Sequence, residues 1–365
     1  MKVGIISYFF PPNNSSGAQR WSKLAIYLKE LGVDVFVISA TGERFGGEDK
    51  DRFSEVSGKV RVHPLPYPQP YRFPVSGKGE ILKFFLVPDG KVFFFLRYHK
   101  RIEKILKWEK PDIVVITAPP FSSFLIVPIL SKLNIPFVAD LRDVWLSDPR
   151  RKNKIADFLI ERWAIRKAKA VFCINNPCVE EIRRFNENVF LIPHFYDPRE
   201  YEVKVLEHQG VWVSHIGSVF HERDIKPLIY ACKSLNFELR LVGPGSERFG
   251  GLGPVSRKDA IREMVSADIL VAVYGKDKSQ GFVSSVKLFE YLGARKPIVV
   301  ISPKGYLREV AKELNLGICE NSEDEIAEKL IEASKGKFLP KDPERYSINV
   351  IGGKIFEILQ TILKN

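Results

Sequence analysis

The stretch Ser284-Ser-Val-Lys-Leu-Phe-Glu290-Tyr-Leu-Gly-Ala-Arg-Lys-Pro297-Ile-Val-Val300 decides how this chain is read. It predicts a helix that begins around Ser285 and stops before Pro297, followed at once by an apolar, β-branched strand. Helix feeding buried strand is half of a βαβ unit, and the same rhythm runs from the first residue to about residue 335. Strands are predicted near Lys2–Tyr8, Val33–Ser39, Asp112–Thr117, Pro136–Asp140, Ala170–Ile174 and Val189–Ile192. A second set is predicted near Val211–Gly217, Phe237–Val242, Asp268–Val273, Pro297–Ile301 and Leu316–Cys319. The expected fold is therefore α/β, with two Rossmann-like, doubly wound parallel sheets. The segment His194-Phe-Tyr-Asp-Pro-Arg-Glu-Tyr201 has no periodicity, so the domains are expected at 1–198 and 199–345, with a cleft between them. Ile348, Ile351, Ile355, Ile358, Leu359 and Ile362 then mark a terminal helix in 346–365 that no strand follows. Pro64-Leu-Pro-Tyr-Pro-Gln-Pro70 alternates proline and is expected to be an extended, polyproline-like loop.

At 365 residues the chain has room for two cores at roughly 150 residues each, which excludes a disulfide miniprotein. No apolar run reaches the roughly 18 residues that a bilayer-spanning helix needs. The opening Val-Gly-Ile-Ile-Ser-Tyr8 reads as a strand, not an export signal, so a cytoplasmic protein is expected. Cys173, Cys178, Cys232 and Cys319 form no C-x-x-C pair and are expected to be buried thiols. The net charge of +12 is uneven: residues 1–198 carry +10 of it. Such a face attracts polyanions.

Chemistry is expected where loops leave the carboxyl ends of strands. In the first loop, Ser15, Ser16 and Gly17 open a helix whose outward N–H groups suit an anion or a sugar hydroxyl, or are simply an N-cap. In the second half, Gly217 and Ser218 end a strand, and Arg223 follows where it can neutralise a diphosphate. In the deciding stretch, the backbone N–H groups of Ser285, Val286 and Leu288 suit phosphate oxygens. Lys287 supplies a cation, and Glu290 lies a turn deeper, placed for a ribose diol. Gly243-Pro-Gly245-Ser-Glu-Arg248 has arginine at the third glycine's place, so a nicotinamide dehydrogenase is disfavoured.

These residues together resemble the group-1 family of glycosyltransferases, retaining enzymes with two facing Rossmann-like domains of the GT-B type. The resemblance covers nearly the whole chain. It rests on Pro11-Pro12 with Gly17, Arg166-Lys-Ala-Lys-Ala-Val171 leading to Ile192-Pro-His194, Leu241-Val-Gly-Pro-Gly245, Ser266-Ala-Asp268 and the run Lys287 to Pro297. It implies that Glu290 holds the donor ribose, that the cation at Arg223 grips the diphosphate, that the Gly17 loop serves phosphates or acceptor, and that the terminal helix crosses back onto the first domain. Three positions depart from the family pattern: Phe282 replaces a first glutamate, Ser218 an arginine, and Arg142 a histidine in Ala139-Asp-Leu-Arg-Asp143-Val-Trp145. Arg223 and Lys287 are then the expected catalytic cations, with Asp143 or Arg142 orienting sugar hydroxyls.

The implied activity is sugar transfer from a nucleotide-diphosphate sugar to a glycan or lipid-linked acceptor, with anomeric retention. No cofactor is expected beyond that donor, and no metal, since no D-x-D-like carboxylate cluster stands at a strand end. A sugar-nucleotide epimerase or a non-catalytic binder of the same fold is the alternative. A nucleic-acid partner is disfavoured, because neither an RRM-type signature nor a helix-turn-helix is present. Residues 71–110 hold ten Lys or Arg against four acids among nine aromatics, which makes an anionic membrane surface a candidate partner and peripheral attachment the matching location.

Overall fold

The computed structural model describes residues 1–13, 15–42, 50–67, 87–146, 154–219, 225–274 and 284–364. Arg223 and Phe282 lie outside these, as does most of the basic, aromatic stretch before residue 87. The chain packs as two compact units, Met1–Pro193 with Gly352–Asn365, and His194–Ile351.

The first unit is a seven-stranded sheet in the order β3-β2-β1-β4-β5-β6-β7, and every pair is parallel. Its strands are β1 (Lys2–Ile6), β2 (Asp34–Thr41), β3 (Arg61–Pro66), β4 (Ile113–Ala118), β5 (Phe137–Leu141), β6 (Ala170–Cys173) and β7 (Val189–Leu191). The described helices are α1 (Ser16–Glu30), α2 (Lys50–Val56), α3 (Val92–Glu109), α4 (Val127–Lys132), α5 (Lys154–Lys167) and α6 (Asn176–Ile182). The central strands β1, β4 and β5 are almost wholly buried, as continuous apolar strands covered on both faces must be. One reading is corrected here. Pro64–Pro66 belong to β3, paired with β2 through Ser39↔Pro64 and Thr41↔Pro66, and not to a polyproline-like loop. Proline is tolerated because β3 is an edge strand, whose outer side needs no donor.

The second unit is a five-stranded parallel sheet in the order β12-β11-β10-β8-β9. Its strands are β8 (Trp212–Ile216), β9 (Glu238–Val242), β10 (Ile269–Val273), β11 (Ile298–Ile301) and β12 (Gly317–Cys319). Its described helices are α7 (Lys226–Ser234), α8 (Arg257–Ser266), α9 (Val286–Ala294), α10 (Tyr306–Glu313) and α11 (Glu323–Ser334), and α12 (Ile348–Lys364) closes the chain. The units divide after Pro193, a few residues before the break at 198 that composition suggests. The reason is local: the Tyr196 N–H donates to the Tyr346 carbonyl at 3.0 Å, and the Ile348 N–H to the Tyr196 carbonyl at 2.8 Å. Helix α12 starts in the second unit and from Gly352 onward belongs with the first. The four cysteines are free and buried.

Candidate active site

In an open parallel sheet, ligands sit beyond the carboxyl ends of the strands, where the winding reverses direction. The second unit reverses between β8 and β10. Their ladder is short, ending at Val213↔Ile269 and Ser214↔Leu270. Past that point the strands part, and side chains take over the backbone groups of Ile216 and Val271. The Tyr291 hydroxyl, from α9, accepts from the Ile216 N–H at 2.8 Å and donates to the Ile216 carbonyl at 3.0 Å. His215 Nδ1 lies 2.9 Å from the Val271 carbonyl. Helix α9 is thereby pinned to the end of β8.

That docking lays Lys287 across Gly217. A Cβ on Gly217 would come 2.5 Å from the Lys287 Nζ, and its φ of +142° is one that side-chain-bearing residues rarely adopt. The Lys287 Nζ is 3.2 Å from His215 Nε2. Because a carbonyl only accepts, Nδ1 carries the proton, and Nε2 is left as the acceptor for the ammonium. The buried imidazole is therefore neutral and steers Lys287 without neutralising it. Neighbouring turns are equally tight: a Cβ on Gly243 would meet the Gly217 carbonyl at 2.6 Å.

Ser285 is the N-cap residue of α9 but makes no side-chain cap bond, so the first amides of Val286, Lys287 and Leu288 are not capped by it. Val286 is half-buried, whereas the Leu288 side chain lies in the core and offers only its amide. The Ser284 hydroxyl is buried and finds no partner among the described residues. A buried hydroxyl without a partner among the described residues, beside amides that Ser285 does not cap, suits a ligand oxygen. Ser218 is half-buried beside Gly217.

Glu290 is buried and paired with Arg257, whose other side reaches Glu200 at 2.8 Å. Burial works against the Arg257 charge, but Glu290 and Glu200 outweigh it and hold its pKa well above the ordinary arginine value. The Tyr201 hydroxyl donates to the Glu290 backbone carbonyl at 2.5 Å. Sequence reasoning missed Arg257, Glu200 and Tyr201, which lie far from Glu290 along the chain. It also missed His215, although a Ser-His pair inside an otherwise apolar strand was a visible signal. At the carboxyl ends of β10, β11 and β12 a cavity of about 330 Å³ is lined by Tyr274, Ser302, Pro303, Glu320, Asn321 and Ser322.

The first unit reverses between β1 and β4. Ser15 is the N-cap residue of α1, yet its hydroxyl makes no capping bond and is a buried orphan among the described residues. This removes the ordinary N-cap explanation. Ser16 is exposed and Gly17 half-buried. Arg142, just after β5, donates to the Gly17 carbonyl at 2.9 Å and to the Pro119 carbonyl, tying together the loops on both sides of the reversal. Its burial lowers the arginine pKa, with the Asp140 and Asp143 carboxylates pulling the other way. Asp143 is half-buried beside it. Below them Arg20 and Asp140 form a buried pair at 3.2 Å; Trp21 and Thr117 also donate to Asp140, and Arg20 to the Ile192 and Pro193 carbonyls. A larger cavity of about 400 Å³, lined by Lys169, Asn188, Phe190 and Ile358 among others, lies at the amino ends of β6 and β7, the wrong edge for such a site.

Two parallel sheets, each with its polar residues gathered where the winding reverses, define an α/β protein of the GT-B class, and known structures agree along the full length. A glycosyltransferase from Rickettsia africae matches with TM-score 0.69 at 16% identity, covering 100% of this chain and 99% of that one. Anabaena HepE, solved with UDP, matches with TM-score 0.68 at 13% identity, over 99% and 100%. A UDP-GlcNAc 2-epimerase from Methanocaldococcus jannaschii matches with TM-score 0.64 at 14% identity, over the same shares. Residues 17–193 match the model of the glycosyl transferase 4-like domain family. No curated protein matches the sequence.

Proposed function

We propose that the protein is a retaining glycosyltransferase of group-1 type, which moves a sugar from a nucleotide-diphosphate donor to a glycan or lipid-linked acceptor. The observation that carries this is Lys287, laid over Gly217 at the strand reversal and directed by a neutral imidazole, at the start of α9, whose first amides the Ser285 side chain does not cap. A departing diphosphate gains negative charge, and a cation with amide dipoles fixed beside it stabilises that charge without reorganisation. In a retaining transfer the acceptor oxygen bonds to the anomeric carbon as the bond to the diphosphate oxygen breaks on the same face. The acceptor's proton passes to the leaving diphosphate. No side-chain base is required, and the reading calls for no metal, so activity persists in chelator. Arg223 is the second proposed cation. Glu290, held by Arg257, takes the ribose, and Ser218 lines the diphosphate side. In the first unit Ser16 and Gly17 serve acceptor or phosphate, Arg142 braces that loop and Asp143 orients a sugar hydroxyl. The glycosyl transferase 4-like domain supports this reading.

Full-length similarity to a UDP-GlcNAc 2-epimerase favours a second reading, isomerisation of the same kind of donor without transfer. One experiment separates them. Thermal unfolding with a panel of UDP-, GDP-, ADP-, dTDP- and CMP-sugars, in chelator, identifies the donor, since a ligand of the native state must raise the midpoint. The shift is expected to be lost in Glu290→Ala and retained in part in Glu290→Gln. The donor is then incubated alone and with lipid-linked acceptors. Labelled sugar in an acceptor supports transfer, whereas a new isomer from donor alone supports the epimerase. The absence of any shift overturns both.

A further inference from the structure

The outer faces of α5 and α3 carry a combination that ordinary solvated helices avoid. On α5, Ile155, Leu159 and Trp163 recur every four residues and are 78%, 60% and 38% exposed. They form one stripe on the helix surface. The two acids of that helix, Asp157 and Glu161, are both buried; Trp145 donates to Asp157 at 3.0 Å. Its exposed charges Arg162, Arg166 and Lys167 are all positive. Helix α3 repeats the pattern, with Arg97, Lys100, Arg101 and Lys104 exposed, Glu109 buried and Glu103 taken by Lys107 and Lys132 at 2.8 and 2.9 Å. Both helices belong to crossovers that run the same way along the sheet, β3 to β4 and β5 to β6, and right-handed crossovers in one direction fall on one face.

We propose that this face of the first unit docks on an anionic phospholipid bilayer, with Ile155, Leu159 and Trp163 entering the headgroup boundary and the surrounding cations meeting lipid phosphates. Charge complementarity selects this occupant. A second copy meeting the same face across a two-fold axis would set these cations against one another. Nucleic acid would match the charge but would leave the Ile-Leu-Trp stripe in water. A bilayer surface takes both at once, since amphipathic helices with cationic rims lie in this interface.

The test is co-sedimentation of the full chain with vesicles of phosphatidylcholine, with and without phosphatidylglycerol. Binding is expected on the anionic vesicles only, with release by salt. Neutralising one cation should weaken it about fivefold, and Arg162→Gln/Arg166→Gln/Lys167→Gln together about a hundredfold. Ile155→Ser/Leu159→Ser should also reduce pelleting while the unfolding midpoint and any nucleotide-sugar shift stay unchanged. The proposal is overturned by equal pelleting with phosphatidylcholine alone, or by a triple variant that binds like wild type. It is equally overturned if the serine pair changes only the sedimentation coefficient, which indicates self-association, or if the cations matter only for binding an RNA. Vesicle binding needs no turnover, so this surface and the transferase reading can fail separately.

Discussion

Both units set a long cation against a glycine at the point where the sheet's winding reverses, but they use it in opposite ways. In the first, a Cβ on Gly17 would lie 2.7 Å from the Arg142 guanidinium, whose donors go to the protein's own Gly17 and Pro119 carbonyls. In the second, Lys287 crosses Gly217 and meets a neutral imidazole nitrogen at 3.2 Å. A planar guanidinium with several fixed donors suits bracing two loops, whereas a compact ammonium suits a diphosphate whose position shifts during reaction. The same local geometry therefore gives a brace in one unit and a candidate electrophilic group in the other.

The largest test of that contrast is Lys287→Ala, expected to lower turnover by about a hundred- to a thousandfold with little change in the unfolding midpoint. Comparing kcat with Tm decides it; an active variant ends the assignment. Next, Gly217→Ala should cost about a hundredfold, because its Cβ displaces the ammonium from its place. His215→Leu should lower kcat about tenfold and His215→Gln much less, since the amide can still donate to Val271 and accept from Lys287. Equal losses in both would make His215 merely structural. On the first unit, Arg142→Met strands two carbonyls and should cost about 2 kcal/mol, or roughly 4–8 °C in Tm, while a nucleotide-sugar shift produced by the second unit persists.

A pH-dependent effect concerns Glu161, whose burial, with Glu181 and Asp157 close by, raises its pKa to about 9 from the ordinary 4.5. Between those values the folded chain keeps a proton that the unfolded chain has released. Its contribution to stability is then complete below about pH 4.5 and is lost as pH rises toward about 9. Glu161→Gln should flatten Tm against pH across that window. Midpoints that fall with pH as steeply as in wild type would remove Glu161 as the cause.

Eleven of the twelve strands among the described residues are legible in the sequence, because buried parallel strands are apolar runs bounded by polar turns. The exception, β3, hides behind Pro64 and Pro66, whose cost vanishes only once the strand is known to be at an edge. In the candidate site, Gly217 and Lys287 are legible because a glycine and a cation fall at a strand end and a helix start, and Glu290 because it follows Lys287 by three on the same helix face. The partners that aim them are not. Arg257 is 33 residues from Glu290 and Lys287 is 72 from His215, so only folding reveals either pairing. The role of Arg142 is hidden for the same reason, since its acceptors are backbone carbonyls that carry no residue-type signature.

The terminal helix has a consequence for synthesis on the ribosome. Gly352 packs on Tyr27, where a Cβ would come 2.5 Å from the ring, and Lys354 donates to the Leu191 carbonyl at 3.1 Å. The first unit is thus completed by residues translated after the whole of the second. At 5–20 residues per second, roughly 10–30 s pass between the emergence of Pro193 and that of Gly352. During that interval the surface of α1 around Tyr27 stands uncovered, a stage at which a nascent chain holds an apolar face open to chaperones.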